Sequence, residues 1–165
     1  MTPALQALLL PRRGILIARV GAGIWLLFNL IILVLVWRDP ANHTVVGNYR
    51  AASAGWWAGR DIYGSGIDWF LYLPSFAFLY TPFWLLGDTG DVLWRALSAG
   101  TLTFAIWRAA KFYLPERVFE AFGVALLLAL PVASAALRNG QATTLMVAKT
   151  AKYSQEERNG ECSGE

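Results

Sequence analysis

This sequence predicts an all-α, multi-spanning membrane protein, and three observations carry that prediction. Of 165 residues, 56% are hydrophobic and only 15% charged, far from the balance of an ordinary soluble domain. Several apolar runs approach the length a bilayer requires, and short polar stretches part them. Arginines gather near the ends of these runs, and the chain carries eight tryptophans, residues that favour the zone where lipid heads meet tails. A net charge of +3 with no basic run interleaved with aromatics excludes a nucleic-acid surface. Cys162 stands alone, so it forms no internal disulfide, and neither it, His43 nor the carboxylates show metal-ligand spacing. No cofactor is implied.

The first element is a short amphipathic lead, Met1 to Arg13, closing on Pro11-Arg12-Arg13. From Val20 to Trp37, eighteen residues pass without a charge, enough for a transmembrane helix over about 14–37. Arg19 can snorkel to the head groups, and Asn29, the one strongly polar side chain inside, is expected to pair with another helix. A cleaved signal peptide would have a shorter core followed by small residues. Here Trp37-Arg38-Asp39-Pro40 follows, so the helix reads as a retained signal anchor. Arg12, Arg13 and Arg19 then place the N-terminus in the cytoplasm and the loop 38–68 outside.

That loop contains a short amphipathic helix, Asn48 to Arg60, with Tyr49, Ala52, Trp56 and Trp57 roughly on one side. Gly59, Gly64 and Gly66 punctuate the end of this helix and the chain beyond it as turns. Trp56 and Trp57 either help to build a site or merely anchor the loop to the bilayer. Asn42-His43-Thr44 fits a glycosylation acceptor, a short match that matters only in a eukaryotic secretory route.

The next apolar segment, within 69–87, is interrupted by Pro74 and Pro82. Proline frees carbonyls that must find partners, so this segment is expected to lie against protein, as a broken span or a re-entrant element. The acidic turn Gly87-Asp88-Thr89-Gly90-Asp91 ends it. A span over 92–107 comes next, with Arg95 near its start, then the basic patch Arg108, Lys111 and Arg117, then a last span over 118–137. Strict alternation puts the basic patch outside, against the positive-inside rule. A re-entrant 69–87 puts it inside, and that reading is preferred.

Residues 1–148 thus form the membrane domain. Ala142 to Ala148 begins a further apolar run that stops after one or two turns. The tail 149–165 is polar, charged and nearly free of large aliphatics, as a disordered segment would be. A truncated or frameshifted reading frame is the favoured explanation, a natural soluble tail the alternative.

Several short motifs fall in order along the chain: Tyr49-Arg50-Ala51-Ala52, Trp56-Trp57-Ala58-Gly59, Asp61-Ile62-Tyr63-Gly64, Phe70-Leu71-Tyr72-Leu73-Pro74 and Tyr80-Thr81-Pro82-Phe83. With Leu93-Trp94-Arg95 and Gly140-Gln141, they resemble the N-terminal part of glycosyltransferase family 87 over about residues 14–147. No single motif is diagnostic; their order and spacing carry the likeness. The resemblance implies the N-terminal part of a GT-C-type helical bundle in the bacterial cytoplasmic membrane. It also implies transfer of a hexose, mannose in some members, from a polyprenyl-phosphate donor to a glycan or glycolipid acceptor on the outer face. Two departures stand out. Where many members place an aspartate early in the outside loop, this chain reads Thr44-Val45-Val46-Gly47. Members also continue through many more spans, so the chain by itself is expected to be inactive.

Such a transfer needs a carboxylate to take the acceptor proton and donors to hold the leaving phosphate. Asp61, bracketed by Gly59 and Gly64 and close to Tyr63, is the first candidate base, and Asp68 the second. Each is also an ordinary turn or cap aspartate. Arg50 and Arg60 suit phosphate by their forked geometry, whether on a donor or on ordinary membrane lipids. Tyr49, Tyr63 and Tyr72 are candidates for substrate contact, and Gln141 for a substrate hydroxyl or for helix packing. Tyr72 and Tyr80 could stack on a sugar or line a prenyl groove, with membership of an interfacial aromatic belt as the default reading. A non-catalytic membrane subunit or small interaction protein is the alternative function.

Overall fold

The computed structural model describes residues 3–40, 44–63, 70 and 72–142, with side chains from Arg13 onward. Among them lie five helices and one 3-10 turn, in the order α1 (Pro3–Arg38), α2 (Val46–Trp57), α3 (Pro74–Leu85), α4 (Asp88–Tyr113), the turn Pro115–Arg117, and α5 (Val118–Asn139). No strand occurs among the described residues. The tail 149–165, Asp68 and the Asn42-His43 part of the acceptor pattern lie outside them.

Two helical stretches, Arg13–Arg38 and Pro115–Asn139, are long and apolar enough to cross a membrane. Only 22% and 17% of their most apolar windows are buried inside the molecule, the reverse of a soluble protein's core helix. Their bare faces are leucine- and valine-rich: Leu26, Leu27 and Leu30 on α1, Leu128 and Val132 on α5.

α1 and α5 run parallel and touch through glycine. A Cβ on Gly21 would fall 2.5 Å from the Gly123 carbonyl oxygen, and one on Gly123 would fall 2.5 Å from that of Ile17. Small residues let apolar helices approach this closely and gain dispersion along their length. Further along, Trp25, Ile32 and Val36 of α1 meet Leu126, Ala133 and Leu137 of α5 and Ala99 of α4 in an aliphatic core. α4 is antiparallel to both: Trp25 Nε1 donates to Thr103 Oγ1 at 2.8 Å, and Trp107 packs on Phe119 and Phe122. One end of the bundle therefore gathers Gly14, Trp107, Phe119 and the Arg117–Glu120 ion pair.

The opposite end holds α2 and α3. α3 has 12 residues, roughly 18 Å of rise, too short for the ~30 Å of a hydrocarbon core. Pro74 sits in its first turn and Pro82 inside it. Just upstream of Pro82, the Ala77 carbonyl accepts the Ser53 hydroxyl of α2 at 2.8 Å, so the broken segment lies against protein. From Leu85 the chain turns at Gly87 directly into α4, whose first turn meets α2 again through Arg50. α3 thus leaves from and returns to the same end, and α4 carries Arg108 and Lys111, with Arg117 in the turn after it, back toward the end where Gly14 lies.

Several sequence expectations need correction. The loop helix is Val46–Trp57 rather than Asn48–Arg60, and it buries Val46, Tyr49, Ala52 and Ser53 while Trp56 and Trp57 face outward. It stops early because Gly59 adopts φ +64 and the N–H groups of Gly59 and Arg60 return to Trp56 O and Gly55 O. The acidic stretch is not a terminating turn: only Gly87 turns, and Asp88 and Asp91 form the first turn of α4. Carboxylates favour that place, since the helix N-terminus carries partial positive charge. The helix expected over 92–107 accordingly extends over Asp88–Tyr113. Asn29 bonds the Trp25 carbonyl of its own helix, not a neighbour.

Candidate functional site

The sequence motifs meet where α2, α3, the start of α4 and the end of α5 come together. Tyr49 is the hub. It is 1% exposed and has four edge-on ring neighbours, Tyr72 and Tyr80 at 5.4 Å, Phe76 at 4.9 Å and Trp94 at 6.2 Å. Such edge-to-face pairs match a positive ring edge to a negative ring face. Each buried polar tip finds a partner. Tyr49 Oη donates to Tyr72 Oη at 3.0 Å and accepts from the Ala142 N–H at 3.4 Å. Trp94 Nε1 donates to the Gly140 carbonyl at 2.8 Å. Tyr63 Oη, from the loop, donates to the Tyr72 carbonyl at 3.1 Å.

A charged cluster adjoins this nest. Arg50 reaches across from α2 and grips Asp91 with both prongs of its fork, Nε to Oδ1 at 3.0 Å and Nη2 to Oδ2 at 2.9 Å. The same Nη2 lies 2.8 Å from Asp88 Oδ1. Tyr80 Oη adds a third donor to Asp91 at 2.9 Å. Arg95, 1% exposed, spends its guanidinium on oxygens one turn away and across: Asp91 O at 3.1 Å, Arg138 O at 3.2 and 3.1 Å, and Thr44 Oγ1 at 2.8 Å. Burial opposes the charge of Arg50, but Asp88 and Asp91 more than offset it and hold the guanidinium above its ordinary range. Burial first, then the bond to Tyr72, pushes the Tyr49 phenol far above its ordinary value. Tyr49 is therefore a neutral hydrogen-bonding group and no base.

The remaining expected residues fall elsewhere. Asp61 is exposed, and its Oδ1 accepts the Tyr63 N–H at 2.9 Å in a local side-chain turn. It is the Tyr63 backbone that touches Asp61; the Tyr63 phenol goes to Tyr72. Arg60 is exposed. Asp68 lies outside the described residues. Gln141 is half-buried, and its N–H closes the end of α5 on the Ala136 carbonyl, beside Gly140 at φ +70. The structure thus unites Tyr49, Tyr63, Tyr72 and the Gly140–Ala142 backbone, turns Arg50 into the acidic pair, and leaves Arg60 and Asp61 on the loop. Tyr80 is a core residue at 0% exposure, not part of an interfacial belt.

Sequence reasoning missed the acidic half of the cluster. Asp91 and Arg95 are four apart in a largely apolar run, a spacing that puts both on one helix face. Ionisable groups in such a run are seldom idle, and that was the available signal. Ser98, one turn on, has the one buried side-chain oxygen without a partner among the described residues. No group of three His, Cys, Asp or Glu could hold a metal among them.

No protein-family model matches the chain, and no curated protein and no solved structure is similar to it.

Proposed function

We propose that the chain is an integral membrane protein with α1, α4 and α5 across the bacterial cytoplasmic membrane, its N-terminus in the cytoplasm, and α2 and α3 at the outer face. α4 is long enough for this role, with 26 residues or roughly 39 Å. Within that setting it forms part of a hexosyltransferase that takes a sugar, mannose by the family likeness, from a polyprenyl-phosphate donor to a glycan or glycolipid hydroxyl. One observation carries the reading. Residues from five of the seven motifs of the glycosyltransferase-like pattern, Tyr49, Tyr72, Tyr80, Trp94 and Gly140, lie far apart in sequence and meet in one nest at the foot of the Asp61 loop.

In this reading Asp61, open to solvent, takes the acceptor proton, and the tyrosine edge orients the sugar. The chain alone is not expected to turn over. Asp61 and Arg60 are exposed, whereas Arg50 is neutralised by Asp88 and Asp91, so base and phosphate holder are not gathered as catalysis needs. That same neutralisation favours a second reading, a non-catalytic membrane subunit.

Photo-crosslinking separates the two readings. The reconstituted chain is irradiated with a polyprenyl-phosphate hexose bearing a photoreactive group on the sugar. Labelling concentrated between Tyr49 and Tyr72, and displaced by unmodified donor, is expected. Labelling no stronger than with a sugar-free photoreactive polyprenyl phosphate would favour the non-catalytic subunit.

A further inference from the structure

Where α1 and α5 end side by side, beneath the start of α2, an open cavity of about 740 Å³ is lined by Thr44, Val45, Ser134, Ala135, Arg138 and Asn139. A smaller one of about 190 Å³ adjoins it and shares Arg138, with Leu35, Val36, Arg38 and Asp39. Exposed Arg138 therefore lines both recesses and exposed Arg38 the smaller, at the ends of the two helices that are long and apolar enough to cross a membrane. Behind the larger one, Arg95 Nη2 touches the lining Thr44 Oγ1. Asp39 is the one carboxylate on either lining, and no ion pair among the described residues engages Arg38 or Arg138.

Arginine at a helix C-terminus ordinarily answers the exposed carbonyls there. At α5 that need is already met. The Ala136 and Leu137 carbonyls take the Gln141 and Gly140 N–H groups, that of Arg138 takes Arg95, and that of Asn139 takes Val45 N–H and Thr44 Oγ1. The Arg138 guanidinium is thus left over from capping. Arginines at the outer ends of spans also run against the usual charge bias of membrane proteins.

We infer that Arg38 and Arg138 form a binding site for the phosphate of a membrane lipid, with its apolar chains lying along Leu35 and the bare faces of α1 and α5. Forked guanidiniums match phosphate oxygens, and helix ends at the interface set them at head-group depth. The inference rests on the membrane reading of α1 and α5 and is independent of sugar transfer. It assigns lipid phosphate to a pair of residues other than Arg50, which the acidic pair occupies.

Native mass spectrometry of the full chain from neutral detergent tests it, with phosphatidylglycerol, undecaprenyl phosphate and uncharged diacylglycerol offered separately. One phosphate-bearing lipid should be retained, and the better of the two tells a glycerophospholipid from a polyprenyl source. Arg38→Gln with Arg138→Gln removes both charge-assisted contacts and should weaken retention at least roughly tenfold, the equivalent of about 1.4 kcal/mol. Asp39→Asn should strengthen it, a gain of function that misfolding cannot imitate. Millimolar inorganic phosphate should not displace the lipid. Equal retention of diacylglycerol, undiminished retention by the double variant, or displacement by inorganic phosphate would each overturn the site. Alkaline extraction of the same variants reads membrane insertion separately, so loss of the site and loss of the membrane reading are distinct results.

Discussion

At the scale of single residues, Asp91 holds the most consequential position. Its side chain is 3% exposed against 65% for Asp88, although both bind the same arginine. Removing Asp91 leaves the buried Tyr80 hydroxyl without its partner and Arg50 with Asp88 alone, whereas the exposed Asp88 is replaced by water. Asp91→Ala should therefore cost about 1–3 kcal/mol, and Asp88→Ala less, at most about 1 kcal/mol. Denaturation in detergent micelles measures both; equal, small losses would show that the cluster is solvated. Asp61 presents the opposite case. Its one bond is a local turn to the Tyr63 N–H, so Asp61→Asn should change stability by no more than about 0.5 kcal/mol. A larger loss in the same assay would make Asp61 a structural residue.

At the scale of elements, glycines decide how helices meet and stop. Gly21 lies against Gly123, while Gly23, two residues on, has open space around it. Gly21→Leu should push α1 from α5 and destabilise the chain by more than about 2 kcal/mol, within the usual range for overpacking. Gly23→Leu should leave it nearly unchanged. Comparable unfolding of the two variants would mean that the α1–α5 contact contributes little. Gly59 and Gly140 both sit at positive φ, where a side chain is strained by about 1–2 kcal/mol. Only Gly140 also meets neighbours, the Val46 side chain and the Arg95 guanidinium. Gly140→Ala should consequently cost clearly more than Gly59→Ala, as thermal melts of the pair would show. The reverse order would mean that α5 does not end against α2.

At the scale of the molecule, α1 and α5 run one way, α4 the other, and α2 with α3 stays at one end. If α1, α4 and α5 span, Arg60 and Lys111 lie on opposite sides of the bilayer. In a Cys162→Ser background, Arg60→Cys should react with an impermeant thiol reagent in intact cells, and Lys111→Cys only after lysis. Labelling of both in intact cells would require α3 to cross as well. Extraction at alkaline pH should leave the full chain in the membrane pellet, and its release would refute integral residence.

The helices themselves were legible because length, apolar content and breaker residues act locally. The charge-free run before Trp37 and the run after Arg117 mark α1 and α5, and glycine and proline mark the ends of α2 and α3. The sequence singled out Tyr49 and Tyr72 but gave no sign that Tyr80 would be buried in the nest with them. Tertiary structure alone decided what the polar groups do. Arg50 and Asp91 are 41 positions apart, and no local pattern can say that a buried carboxylate will take a distant arginine before any phosphate does. The same holds for the Arg95 guanidinium, drawn to the carbonyl end of α5 by a contact across 43 positions. Local propensity and hydropathy arise from neighbours along the chain. Pairing of buried charge depends on which groups are desolvated together, and that is settled only when the helices pack.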